Sequence, residues 1–204
     1  MDVKQYGDEV FIYRMAQKNT PGHEEGEGAS EEQAPNDINN GYAMIDGNRV
    51  EFSERAIIGD KVFMTLPDEF EPMPPEAVMF KYQKGNRPNI IFTDAKATVN
   101  ICFTDTKDKL EGEDIEEAKE YLERVTATMN PSSKIMSSSV IEGETRIGFF
   151  DFISVAVDCD VYNLMFLFSL DGQFILGAFN CVRMVMDKWL DIAKQMVQSI
   201  RVCR

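Results

Sequence analysis

Val161-Tyr162-Asn163-Leu164-Met165-Phe166-Leu167-Phe168-Ser169-Leu170-Asp171-Gly172-Gln173-Phe174-Ile175-Leu176-Gly177-Ala178-Phe179-Asn180-Cys181 reads as two apolar strands joined by the strongest turn signal in the chain. Asp-Gly tolerates the positive φ angles of a two-residue turn, and such a turn fixes the register of both flanking strands. Leu170 then opposes Gln173, Phe168 meets Ile175, Phe166 meets Gly177, and Met165 meets Ala178. Further out, Asn163 falls opposite Asn180, on the face of Met165, Leu167, Leu176 and Ala178. Two readings of the asparagines stay open. They form a hydrogen-bonded pair at the end of the core, or a polar floor to a binding pocket with Tyr162 and Arg87 at its rim. The nearly continuous apolar run from 161 to 170 calls for a sheet covered on both faces.

The rest of the chain supplies partners for this hairpin. Tyr42-Ala43-Met44-Ile45, Asp46-Gly47 and Arg49-Val50-Glu51-Phe52 repeat the hairpin signal. Strands are also expected at 56–58, 61–66, 89–93, 97–104, 134–141 and 146–158. Pro74-Pro75-Glu76 opens a short helix to about 82, with Gly85 beyond its end. Over 114–130 the stripe Ile115, Ala118, Leu122, Val125 and Met129 predicts an amphipathic helix, with Glu116, Glu117, Lys119, Glu120 and Glu123 in water. A last helix, about 187–199, puts Trp189, Ala193, Met196 and Ile200 on one face. Strands and helices joined by hairpin-length connections make the fold α+β: an antiparallel sheet covered by helices, an α/β/α sandwich.

Charge divides the chain before Gly41. The 204 residues carry 35 acids against 21 bases, a formal charge of −14. From Asn19 to Asn48 there is no base, while Glu24, Glu25, Glu27, Glu31, Glu32, Asp37 and Asp46 supply half of that charge. With nothing apolar larger than alanine between 22 and 32, this stretch buries nothing. The expected organisation is an N-terminal arm at 1–18 with one strand at 9–15, an acidic flexible linker at 19–40, and a single domain at 41–204.

Composition and motifs exclude several function classes. The acidic balance argues against nucleic acid, which needs clustered bases. No apolar stretch approaches the ~20 residues of a membrane-spanning helix. The start of the sequence has no apolar segment of the kind that opens a secretory signal, and Cys102, Cys159, Cys181 and Cys203 lack C-x-x-C spacing. Buried thiols and a cytoplasmic location are expected. There is no phosphate-binding glycine loop. Asp37-Ile38-Asn39-Asn40-Gly41 starts like a calcium loop but has Gly41, Tyr42 and Asn48 where ligands and the turn glycine belong. Asp158-Cys159-Asp160 offers two carboxylates to a hard cation, but a solvated turn between two strands explains the same residues. His23, the one histidine, sits in the acidic stretch, far from serving a cysteine nucleophile. Asp151, inside Phe149-Phe150-Asp151-Phe152, is the carboxylate most exposed to desolvation, and an edge-facing position is expected for it. No catalytic residue, metal site or cofactor is called for.

Leu66-Pro67-Asp68-Glu69-Phe70-Glu71-Pro72-Met73, Lys81-Tyr82, Arg87-Pro88, Thr98-Val99-Asn100, Val161-Tyr162-Asn163-Leu164-Met165-Phe166 and Gly177-Ala178-Phe179-Asn180-Cys181 together resemble uncharacterised proteins of anaerobic Gram-positive bacteria. Trp189, Ala193 and Ser199-Ile200-Arg201-Val202 resemble the last helix of PsbP-like proteins. The resemblance covers roughly 57–202 and leaves the arm and linker unmatched. It implies the PsbP-like fold, an antiparallel sheet between helices. That fold serves photosystem accessory subunits, a Ran-binding import factor, envelope proteins and secretion chaperones, which act mainly by binding. The expected function is a non-enzymatic, cytoplasmic protein-interaction module or chaperone-like binding protein with a protein partner. The alternative is a small-molecule or metal-binding protein, or an enzyme, with a polar pocket in the sheet.

Overall fold

Asp171 and Gly172 adopt φ of 54° and 75°, and Asp46 and Gly47 adopt 55° and 72°, so both Asp-Gly pairs make the tight turns their chemistry favours. The computed structural model describes residues 37–82, 87–155 and 159–203. The expected arm strand at 9–15, His23, the acidic run to 36 and Asp158 lie outside the described residues.

Eleven strands and three helices are described: β1 (Tyr42–Ile45), β2 (Asn48–Ile58), β3 (Val62–Pro67), β4 (Glu71–Pro72), α1 (Pro75–Lys81), β5 (Ile90–Thr93), β6 (Val99–Lys109), α2 (Ile115–Met129), β7 (Lys134–Ile141), β8 (Ile147–Ser154), β9 (Val161–Leu170), β10 (Gln173–Val182), α3 (Met186–Gln198) and β11 (Arg201–Val202). All strand pairs are antiparallel. The β9–β10 register is the one the turn dictates, including Phe166 opposite Gly177 and Asn163 opposite Asn180.

The single sheet expected from the sequence is divided in two. Seven strands run in the order β4-β5-β6-β10-β9-β8-β7, and four form a smaller sheet, β1-β2-β3-β11. One face of the large sheet packs against α2, with Met165, Leu167, Leu176, Ala178 and Phe150 meeting Ile115 and Leu122. Its other face presents Tyr162, Leu164, Phe166, Phe168 and Phe179 to a core shared by Trp189, Ala193 and Met196 of α3 and by Met64, Leu66 and Phe52 of the small sheet. Cover on both faces is therefore real, but on one side α3 and a second sheet provide it together. Alternate residues of β9 enter different cores, which is why the strand is apolar at nearly every position.

Three further readings change. The expected linker ends earlier than residue 40: a 3-10 turn, Ile38–Asn40, follows an Asp37 cap, and Ile38 is buried in the core. Isoleucine is the apolar anchor that the preceding acidic run lacks. In α2 the buried positions are Ile115, Lys119, Leu122 and Thr126, whereas Met129 is exposed. Lys119 is thus not in water. Gly148 of β8 explains the rotation: a Cβ there would stand 3.1 Å from Lys119 Cβ and 3.2 Å from Ile115 Cγ2, so glycine lets this face of the helix come close. Asp151 is buried, not edge-facing.

Candidate functional site

The two asparagines belong to a polar row across the large sheet. Thr93, Asn100, Asn180 and Asn163 are successive cross-strand partners on β5, β6, β10 and β9. The amides turn to opposite sides. Asn180 Oδ1 accepts from Asn100 Nδ2 at 3.1 Å, and Thr93 Oγ1 donates to Asn100 Oδ1 at 2.8 Å. Asn163 Nδ2 donates instead to Ser154 Oγ of β8 at 3.1 Å and to its own strand at Val161 O, 3.0 Å. The mutual bond between Asn163 and Asn180 is replaced by bonds to flanking strands. Beside Asn100 and Asn180, with Lys81 and Thr98 also in its lining, is a cavity of about 10 Å³, room for about one water. Lys81 donates to the Ala97 carbonyl; burial holds its ammonium below the usual lysine range, against the opposing pull of Asp94.

The expected rim residues go elsewhere. Tyr162 points to the opposite face, fully buried, as its neighbouring position on a strand requires. Its hydroxyl donates to Asp151 Oδ2 at 3.0 Å. Burial, the charge of Asp151 and that hydrogen bond together hold the phenol well above its ordinary pKa. Asp151 Oδ1 also accepts from Ser137 N at 2.6 Å and Ser137 Oγ at 2.8 Å, and Lys194 of α3 stands 3.4 Å from Oδ2. This carboxylate therefore ties β7, β8, β9 and α3 together. Arg87 is exposed and gives its Nε to Tyr82 O at 3.2 Å. The four predicted residues thus split into a pair within one row, a core tyrosine on the other face, and a surface arginine.

The thiols form no disulfide; Cys102 and Cys181 are buried in strands. Burial pushes the Cys181 thiol up to about 12, so it stays protonated and inert near neutrality.

A larger concavity lies where α2 meets the ends of β6 and β10. It holds about 360 Å³ and is lined by Leu110, Ala118, Tyr121, Leu122 and Phe174, with Asp108, Lys109, Asp114, Glu117 and Arg124 around them. Its volume falls within the range of ordinary ligand and anchor sites. The chain there is acidic: Glu113 and Asp114 lie in the turn before α2, and Glu116, Glu117 and Glu120 in its first two turns. An apolar floor bordered by Asp108, Asp114 and Glu117, with Lys109 and Arg124 among them, can seat an apolar side chain with a basic neighbour set against the carboxylates. Sequence periodicity placed Ala118 and Leu122 on the apolar stripe, but Phe174 and Leu110 join them only through the sheet.

Of the solved structures, cyanobacterial PsbP (CyanoP) from Synechocystis sp. PCC 6803 superimposes with a TM-score of 0.54 at 12% identity, over 74% of this chain and 92% of that one. The fold is PsbP-like. Two further similar structures are LpqN of Mycobacterium tuberculosis, involved in cell envelope biogenesis (TM-score 0.45, 10% identity, 84% of this chain and all of that one), and PA94 of Pseudomonas aeruginosa (0.42, 10%, 75% and 97%). No family model matches the chain, and no curated protein matches its sequence. Among the described residues, no helix is long and apolar enough to cross a membrane.

Proposed function

We propose that this chain is a non-enzymatic protein-interaction module, chaperone-like in that it holds a segment of a partner protein rather than transforming it. The observation that carries this reading is the groove beside α2: about 360 Å³, floored by Leu110, Ala118, Leu122 and Phe174. Its occupant is a partner segment that inserts an apolar side chain and places Lys or Arg against Asp108, Asp114 and Glu117. By contrast, the polar row is committed to inter-strand bonds around a cavity of about 10 Å³. The PsbP-like fold is compatible with a binding role, although fold alone carries no specific function. The compartment proposed is the cytoplasm, where unbridged thiols persist. The runs at 66–73 and 161–166 support kinship with proteins of anaerobic Gram-positive bacteria.

Ala118→Arg tests the groove by filling it from a half-buried position. Wild-type and variant protein would each be expressed in the native host and isolated with their partners. A partner held by the wild type and lost from the variant, at unchanged melting temperature, supports the groove. A partner retained equally by both overturns it.

A further inference from the structure

The two sheets end in four edges, and three are short: β4 and β11 have two residues each and β1 has four. β7 has eight and, among the described residues, pairs only with β8. Natural sheets blunt their edges with short strands, charges, prolines and bulges because an open edge templates pairing. From Ile135 to Ile141, β7 has no charge and no proline. Its one blunting feature there is a bulge against β8 between Ile135 and Ser137, and the ladder is regular from Ser137 to Ile141.

The sequence of this edge is self-complementary. Lys134-Ile135-Met136-Ser137-Ser138-Ser139-Val140-Ile141-Glu142 runs base, two apolar, three serines, two apolar, acid. An antiparallel copy centred on Ser138 sets Lys134 opposite Glu142, Ile135 opposite Ile141, Met136 opposite Val140, and serine opposite serine. From 135 to 141 every position meets its own chemical kind, and a Lys134–Glu142 ion pair closes each end. Met136 is 44% exposed and the Glu142 side chain 68% exposed. Glu142 now accepts from Arg146 Nε at 2.9 Å; a carboxylate has room for a second donor. This is the symmetry of an isologous interface, in which one patch serves both copies. We propose that a second copy of this chain docks on β7, joining two large sheets edge to edge. This surface is separate from the α2 groove and stands independently of the partner proposed there.

Sedimentation of the full chain from about 1 μM to about 1 mM tests the dimer. Concentration-dependent dimerisation is expected. Lys134→Glu and Glu142→Lys each set like charges opposite at both ends, and each should weaken association by about ten-fold. The doubly reversed chain, K134E/E142K, regains the pairing and should associate like wild type even though the Arg146 contact remains lost. Ser139→Lys, opposite Ser137 of the second copy, should also weaken the dimer; melting curves show whether each variant folds. A wild type that stays monomeric throughout overturns the proposal, leaving the edge to another chain. A dimer indifferent to both single reversals, or singles that the double does not rescue, overturns it equally.

Discussion

Gly177 faces Phe166 across the β9–β10 ladder, and a Cβ at this position would lie 2.1 Å from the Phe166 ring. The ring has nowhere to retreat, since it is fully buried and edge-on to Phe103 at 5.6 Å. Gly177→Ala should therefore destabilise by about 1–3 kcal/mol through overpacking. Adding Phe166→Leu should recover part of that loss, and denaturant titration of the two variants checks it. The asparagines invite a second comparison. Asn180→Ala and Asn163→Ala should each cost about 1–3 kcal/mol, because each leaves a buried partner short of a bond. In double-mutant cycles Asn180 should couple to Asn100, its hydrogen-bond partner, more strongly than to Asn163, its ladder neighbour. The reverse order would mean that the amides face each other.

Elements carry their own test in α2. Leu122 is 5% exposed in the core against the sheet, so Leu122→Ala should cost about 2–5 kcal/mol. Glu120 is exposed, and its removal should change stability by less than about 0.5 kcal/mol. Glu123 is the discriminating position. Lys119 Nζ donates to Glu123 Oε1 at 2.8 Å and to Ser138 Oγ at 2.7 Å, and the Lys119 side chain is only 8% exposed. Glu123→Ala leaves a buried ammonium with Ser138 Oγ but without its carboxylate, and should cost about 1–3 kcal/mol. Equal thermal melting of the Glu120 and Glu123 variants would show that Lys119 reaches water. The heptad-like spacing made the helix and its ends legible. It did not reveal a buried lysine, because burial there depends on a glycine twenty-nine residues away, Gly148, whose bare backbone lies beneath the helix.

At the scale of the whole molecule, Tyr162 and Cys181 make stability fall at high pH. Both acids hold their protons in the folded state past their ordinary values, mainly because burial penalises the charged form. An unfolded thiol ionises near about pH 8.5, and an unfolded phenol near about pH 10. Below those values both states are protonated and the contribution to stability is complete. Above them the unfolded chain releases protons that the fold retains, so stability declines until the folded groups themselves titrate, for Cys181 at about 12. Melting temperature should drop between about pH 9 and 11, less steeply in Cys181→Ala and Tyr162→Phe than in wild type. Identical slopes in all three would place the alkaline loss elsewhere.

What the sequence determined by itself is local: both Asp-Gly turns, the β9–β10 register they impose, the position of α2 and α3, and the α+β class. Turn dihedrals and side-chain periodicity are properties of neighbours along the chain, so they can be read there. Only the tertiary structure decided the rest. Whether Asn163 reaches Asn180 or Ser154 depends on which strands flank the hairpin. The burial of Asp151 depends on Ser137, Tyr162 and Lys194 arriving from three other elements. The division into two sheets and the groove among Leu110, Leu122 and Phe174 arise from segments far apart in sequence. Such contacts are fixed when distant faces bury one another, and a residue's local pattern holds no record of which face it will meet.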